Sequence, residues 1–170
     1  NALAATAIAF CAGIDAAVIE KVLRSFAGVE HRLELVRVAD GVKYINDSKG
    51  TNPDSSIKAL EAMDTPVLLI AGGYDKKSSY EEFIRAFDGK VKKLLLLGVT
   101  APAIRDTAIA MGYPQEDILM CKDMDECVRL ASGLAVSGDT VLLSPACASW
   151  DMYDSYEQRG RHFKSCVRNI

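Results

Sequence analysis

The chain has 170 residues, 49% hydrophobic, 25% charged and 7% aromatic, with 20 basic against 23 acidic side chains for a formal charge of -3. This composition excludes collagenous, low-complexity and disordered classes, and it offers no basic stripe for nucleic acid. A chain of this length buries roughly 70% of the surface its unfolded form exposes, enough for one full core without disulfide or metal staples.

The first fourteen residues, NALAATAIAFCAGI, carry no charge. The run is too short to span a bilayer and lacks the positive flank of a signal peptide, so no membrane insertion is expected and a buried helix is. The chain starts with Asn1 rather than Met, which suggests a processed protein or an excised piece. ALAATAIAFCAG and DAAVIEKVLRSF read as two short helices broken at Gly13, with Gly28 as a stop. LELVRVA and VKYIN then read as strands joined at Asp40-Gly41, a strong hairpin signal. Beyond them, apolar strand-like runs at 67–72, 93–98, 117–121 and 140–145 alternate with helical stretches near 54–63, 79–88, 101–112, 124–135 and 154–168. Continuous Val/Leu/Ile runs mark strands buried on both faces, and this alternation predicts a parallel sheet between helical layers. The expected fold is a three-layer, Rossmann-like α/β domain over about 30–170, mostly parallel, with an antiparallel N-terminal hairpin strand. The first 28 residues are expected to belong to a different helical layer.

Five cysteines, Cys11, Cys121, Cys127, Cys147 and Cys166, form no C-x-x-C pair, and His31 and His162 lie far apart. No metal site is expected from them, and a reducing, cytoplasmic setting fits unpaired thiols. His31 beside Arg32 reads as a surface or hairpin-entry residue.

In open α/β sheets ligands bind beyond the carboxyl ends of the strands. Three such ends are polar: NDSKGTN (46–52), GGYDKK (72–77) and SPACAS (144–149). Lysine charge, hydroxyls and loop N–H groups suit a small carboxylate or phosphate. The plainer reading is that Asp47 and Ser48 are turn and cap formers and that the lysines are solvated. Cys147 and Ser149 lack a G-x-S-x-G elbow and a histidine placed as base. No G-x-x-x-x-G-K-[ST] phosphate loop and no G-x-G-x-x-G occurs, so this stretch carries no evident machinery for activating ATP.

The order His31-Arg32, NDSKGTN, GGYDK and SPACASWDMYDSYEQRG (144–160), closing at Phe163, resembles the C-terminal domain of the Mur ligases. The likeness covers essentially the whole chain and is strongest to the branch that adds D-glutamate in peptidoglycan precursor synthesis. It implies a three-domain, ATP- and Mg2+-dependent ligase. The acyl phosphate of UDP-N-acetylmuramoyl-L-alanine would be attacked by the amine of D-glutamate. Residues 1–28 would be the last helices of the central ATPase domain, which holds most of the ATP and Mg2+ contacts, and 29–170 the amino-acid-binding domain. By the same resemblance Lys49, Thr51, Lys76, Ser149 and Tyr156 (through its backbone) would meet D-glutamate. Asn1, Arg32 and Asp47 would meet the nucleotide, and no catalytic residue or metal ligand falls in the chain. Tyr74 and Lys77 stand where relatives often carry smaller residues, which leaves Lys76 and Lys77 competing for one role. The alternatives are a free-standing module that binds an anionic metabolite without catalysis, and a sister Mur or folylpolyglutamate ligase.

Overall fold

The computed structural model describes residues 1–74 and 77–170. Two helices, α1 (Ala2–Cys11) and α2 (Ala16–Ser25), come first and pack on each other, with Asp15 capping the second through the Ala17 N–H. The expected buried helix forms but is not buried: neither α1 nor α2 has a buried residue, and Leu3 is 86% exposed. Small apolar residues supply the helix propensity, while burial needs a partner surface that α2 alone does not provide.

The hairpin follows as β1 (Glu34–Ala39) and β2 (Val42–Asn46), antiparallel, with Asp40 and Gly41 both at positive φ as a two-residue turn requires. The strand starts one residue later than the apolar pattern suggests, because Leu33 sits in the left-handed region (φ 46). Then come α3 (Pro53–Glu61), β3 (Val67–Ala71), α4 (Glu81–Arg85), β4 (Val91–Leu96), α5 (Ala101–Ala110), β5 (Ile118–Met120), α6 (Met124–Leu134), β6 (Thr140–Leu143) and α7 (Tyr156–Arg168). The helix expected over 79–88 is reduced to α4, since Asp88 and Gly89 at positive φ stop it. Ordinary side-chain caps start three of the others: Asn52 for α3, Asp123 for α6 and Ser155 for α7.

The six strands form one sheet in the order β1-β2-β6-β3-β4-β5, parallel except for β1. β3 shows why three layers result. Val67, Leu69 and Ala71 face a core shared with Leu60, Phe83 and Ile104, while Leu68 and Ile70 face one shared with Met124, Val128 and Phe163. Thus α3, α4 and α5 cover one face and α6 and α7 the other, as the fold class expected. Among the described residues no helix is long and apolar enough to cross a membrane.

β3 ends at Gly72, whose φ of 108 is closed to other residues and whose N–H donates to the Pro145 carbonyl at 2.8 Å. A Cβ there would overlap the Leu97 carbonyl oxygen. Gly72→Ala is therefore expected to destabilise the fold by about 2 kcal/mol or more, read as a lowered denaturant midpoint at unchanged slope.

Candidate ligand-binding site

The strands β2, β6 and β3 are adjacent, so their carboxyl ends deliver the loops 46–52, 144–150 and 72–74 side by side. The Asp47 N–H extends the parallel ladder to the Leu143 carbonyl at 2.7 Å, and its carboxylate accepts from Ser144 Oγ at 2.7 Å and from the Leu33 N–H at 3.3 Å. Ser144 Oγ also lies 2.8 Å from Ser56 Oγ, which accepts the Ala146 N–H. Burial pushes the Asp47 carboxyl above its ordinary value, although both hydrogen bonds and the charges of Arg32 and Arg159 oppose the rise.

One buried side chain ties these loops together. Arg159, 2% exposed on α7, donates through Nε to Ser48 Oγ (3.0 Å) and through Nη2 to the Ser48 carbonyl (2.9 Å). Its Nη1 donates to the carbonyls of Cys147 and Ala148. Desolvation lowers its pKa to about 10, which leaves it charged at neutral pH. Ser48 Oγ in turn donates to the Tyr156 carbonyl at 2.7 Å. Tyr156 is the first residue of α7, where backbone N–H groups have no intrahelical partner.

These bonds bring most of the sequence-derived residues to one edge. The Lys49 ammonium stands 5.7 Å from the Tyr156 ring centroid, a cation–π distance. Half-buried Thr51 follows two residues on, and buried Ser149 lies next to Ala148, which Arg159 holds. Exposed Arg32 is near enough to Asp47 to favour its charged form. Lys76 lies outside the described residues. Asn1 is exposed at the start of α1 with no side-chain cap bond, and among the described residues no hydrogen bond or ion pair joins it to the loop edge.

His31 stands at the entry to the hairpin, as one of its two readings had it, but not on the surface. It is 2% exposed, its Nδ1 is 2.9 Å from Asn46 Nδ2, and it packs edge-on to Tyr156. Gly160 makes the room, since a Cβ there would overlap the imidazole. Burial depresses the His31 pKa, so the ring is neutral. Beside it, burial raises the Glu34 carboxyl, but Lys164, the His31 N–H and Asn46 more than offset that and hold it low.

Cys147 is no exposed nucleophile: burial raises its pKa, and its Sγ lies 3.2 Å from Thr100 Oγ1 and 3.3 Å from Tyr80 Oη. The arrangement offers charge and directed donors to an anion, so its chemistry is orientation. Sequence reasoning missed Arg159 and Ser56 as organisers. The signal was present, because Arg159 stands at i, i+4, i+8 with the buried Phe163 and Val167, a charge on an apolar stripe.

Arg159→Met is expected to cost about 3 kcal/mol or more, since the Ser48 and Cys147 carbonyls lose their donor and the Ala148 carbonyl keeps only the Tyr74 N–H, as seen in chemical denaturation. Because folded Asp47 holds its proton to higher pH than in the unfolded chain, its contribution favours folding in acid and is lost as pH rises through its raised pKa. The stability of the native chain relative to Asp47→Asn should therefore fall with rising pH across that window, measured by denaturant melts of both.

Comparison with known proteins fits this edge. The model of the family "Mur ligase, glutamate ligase domain" matches residues 31–147. The UDP-N-acetylmuramoylalanine–D-glutamate ligase of Thermoanaerobacter sp. (strain X514) is 57% identical over all 170 residues, and that of Clostridioides difficile (strain 630) 53%. The chain spans 37% of the length of either relative. Among solved structures, a murein peptide ligase from Psychrobacter arcticus 273-4 superposes with TM-score 0.61 at 15% identity, over 99% of this chain and 36% of that one. A bifunctional folylpolyglutamate synthase/dihydrofolate synthase from Yersinia pestis CO92 gives 0.64 at 12%, over 91% and 35%. These distant likenesses establish the shared fold, and the family match over most of the sequence establishes descent: the chain belongs to the Mur ligase glutamate-ligase domain family.

Proposed function

We propose that this chain is the amino-acid-binding domain of an ATP-dependent amide ligase that adds D-glutamate to UDP-N-acetylmuramoyl-L-alanine, acting in the cytoplasm on a peptidoglycan precursor. The observation that carries the reading is the 57% identity, over the entire chain, to a relative named for that activity. The loop edge supports it with Lys49 beside Tyr156 in the first turn of α7, and with Ser149 next to the Ala148 carbonyl that Arg159 holds.

D-glutamate presents two carboxylates and an amine that must be neutral to attack. In this reading Lys49, Thr51, Ser149, Lys76 and the backbone of Tyr156 hold the carboxylates, and the fixed carboxylates aim the amine at the acyl phosphate. The gain is positional, converting an encounter into a held geometry. Asp47 and Arg32 face the nucleotide, together with Asn1 from the preceding domain. Residues 1–28 are the last helices of that domain, and 29–170 the amino-acid domain. This division is supported by the exposed Leu3, Ile8, Phe10 and Phe26, and by a family match that begins only at residue 31. The reading assigns ATP and Mg2+ mainly to the remainder of the parent ligase, since this stretch carries no G-x-x-x-x-G-K-[ST] phosphate loop.

In the intact ligase, Lys49→Ala should raise the KM for D-glutamate about tenfold or more, the loss of one charge-assisted hydrogen bond. Near-native steady-state kinetics would remove Lys49 from the site. An amide-resolved NMR titration of the ligase with D-glutamate, against L-glutamate, should give stereoselective shifts at Lys49, Thr51 and Ser149. Equal shifts with both would reduce the edge to general anion attraction.

A further inference from the structure

A second constellation lies away from the loop edge, on the seam between α6 and α7. His162 and Cys166 are one helical turn apart on α7, and Asp125 opens α6 opposite them. One ligand atom from each lies within 4.8 Å of the other two. Asp125 Oδ2 is 3.0 Å from His162 Nε2, and Asp125 Oδ1 is 3.4 Å from Cys166 Sγ. Tetrahedral zinc, with bonds of about 2.0–2.1 Å to nitrogen and oxygen and about 2.3 Å to sulfur, separates its ligand atoms by roughly 3.3–3.6 Å. The two measured separations already approach the edges of such a tetrahedron.

The ring of His162 is also held as metal-binding imidazoles are. Its Nδ1 lies 3.0 Å from Tyr153 Oη, and the two rings pack at 5.9 Å. With a metal on Nε2 the tautomer is fixed, and Nδ1–H donates to Tyr153, the outer contact that orients a ligand histidine. Thiol, imidazole and carboxylate together suit a borderline ion such as zinc and disfavour magnesium or calcium, which take oxygen ligands.

We infer that Asp125, His162 and Cys166 form a site for a divalent zinc-class ion, with a fourth position open to water on the exposed side. Binding displaces the Cys166 thiol proton to solvent, and the ion takes over the contacts that Asp125 now makes to both partners. Sequence spacing excluded such a site because it looks for local Cys and His pairs, whereas here the third ligand comes from a helix much earlier in the chain. The ion would clamp α6 to the helix that carries Tyr156 and Arg159, a structural rather than catalytic duty.

The test is titration of the reduced chain with Zn2+ in competition with a chromophoric chelator, and with Co2+ followed by absorption. A single equivalent should bind, and the cobalt form should show thiolate-to-metal charge transfer. His162→Ala, Cys166→Ser and Asp125→Asn should each weaken binding about tenfold or more, while Cys11→Ser changes nothing. The Asp125 side chain is 69% exposed, so Asp125→Asn preserves the fold and keeps the test decisive should the other two variants misfold. Failure of the native chain to compete with the chelator, binding that Asp125→Asn leaves intact, or a cobalt spectrum without the thiolate band would overturn the proposal.

Discussion

A buried guanidinium with, among the described residues, no carboxylate in direct contact holds the loop edge together. Arg159 is satisfied by four hydrogen bonds, three of them to backbone carbonyls. Taking such a charge out of water costs several kcal/mol, so the loops that supply those carbonyls must be correctly placed for the folded state to be favourable at all. That requirement couples the two loops. Ser48 cannot move without stripping Arg159, and Arg159 cannot move without releasing Cys147 and Ala148, the residues that lead into Ser149. The flanking positions inherit their rigidity from this buried knot.

A second tie supports the same helix from its other side. Lys164 reaches both Glu30 and Glu34 at 2.7 Å, joining α7 to the segment that leads into β1. Glu34 also accepts from the His31 N–H and from Asn46 Nδ2. The residue pair His31-Arg32 therefore divides its labour. The neutral, buried ring fills the space that Gly160 leaves, and the charge of the exposed guanidinium beside it reaches Asp47.

Much of this architecture was legible in the sequence because it rests on short-range pattern. The Val/Leu/Ile runs mark β3, β4 and β6, the Asp40-Gly41 turn marks the hairpin, and polar residues past β2, β3 and β6 mark the edge. What stayed hidden depends on tertiary partners. Leu33 and Asp88 adopt positive φ that no local signal announces, which shifts one strand start and shortens one helix. The burial of His31 requires Gly160, far along the chain, and the role of Arg159 requires carbonyls from two distant loops. The apolar character of α1 was visible, but whether it would be covered was a matter of partner surface, not of pattern.

The position of β6 also governs when the site comes into being. β6 alone joins β1–β2 to β3–β4–β5, so before residues 140–143 insert, the sheet is two ribbons with a slot between them. During N-to-C synthesis those ribbons emerge first, each with an unpaired edge, and the wedge that joins them arrives near the end. Long-range parallel pairing of this kind is slow to nucleate and leaves open edges exposed to wrong partners while it waits. The Asp47–Ser144 bond spans 97 residues and can form only at that insertion. A nascent or clipped chain that lacks residues 140–170 thus has no partial version of the edge to offer: closing the slot and assembling the loop edge are one event.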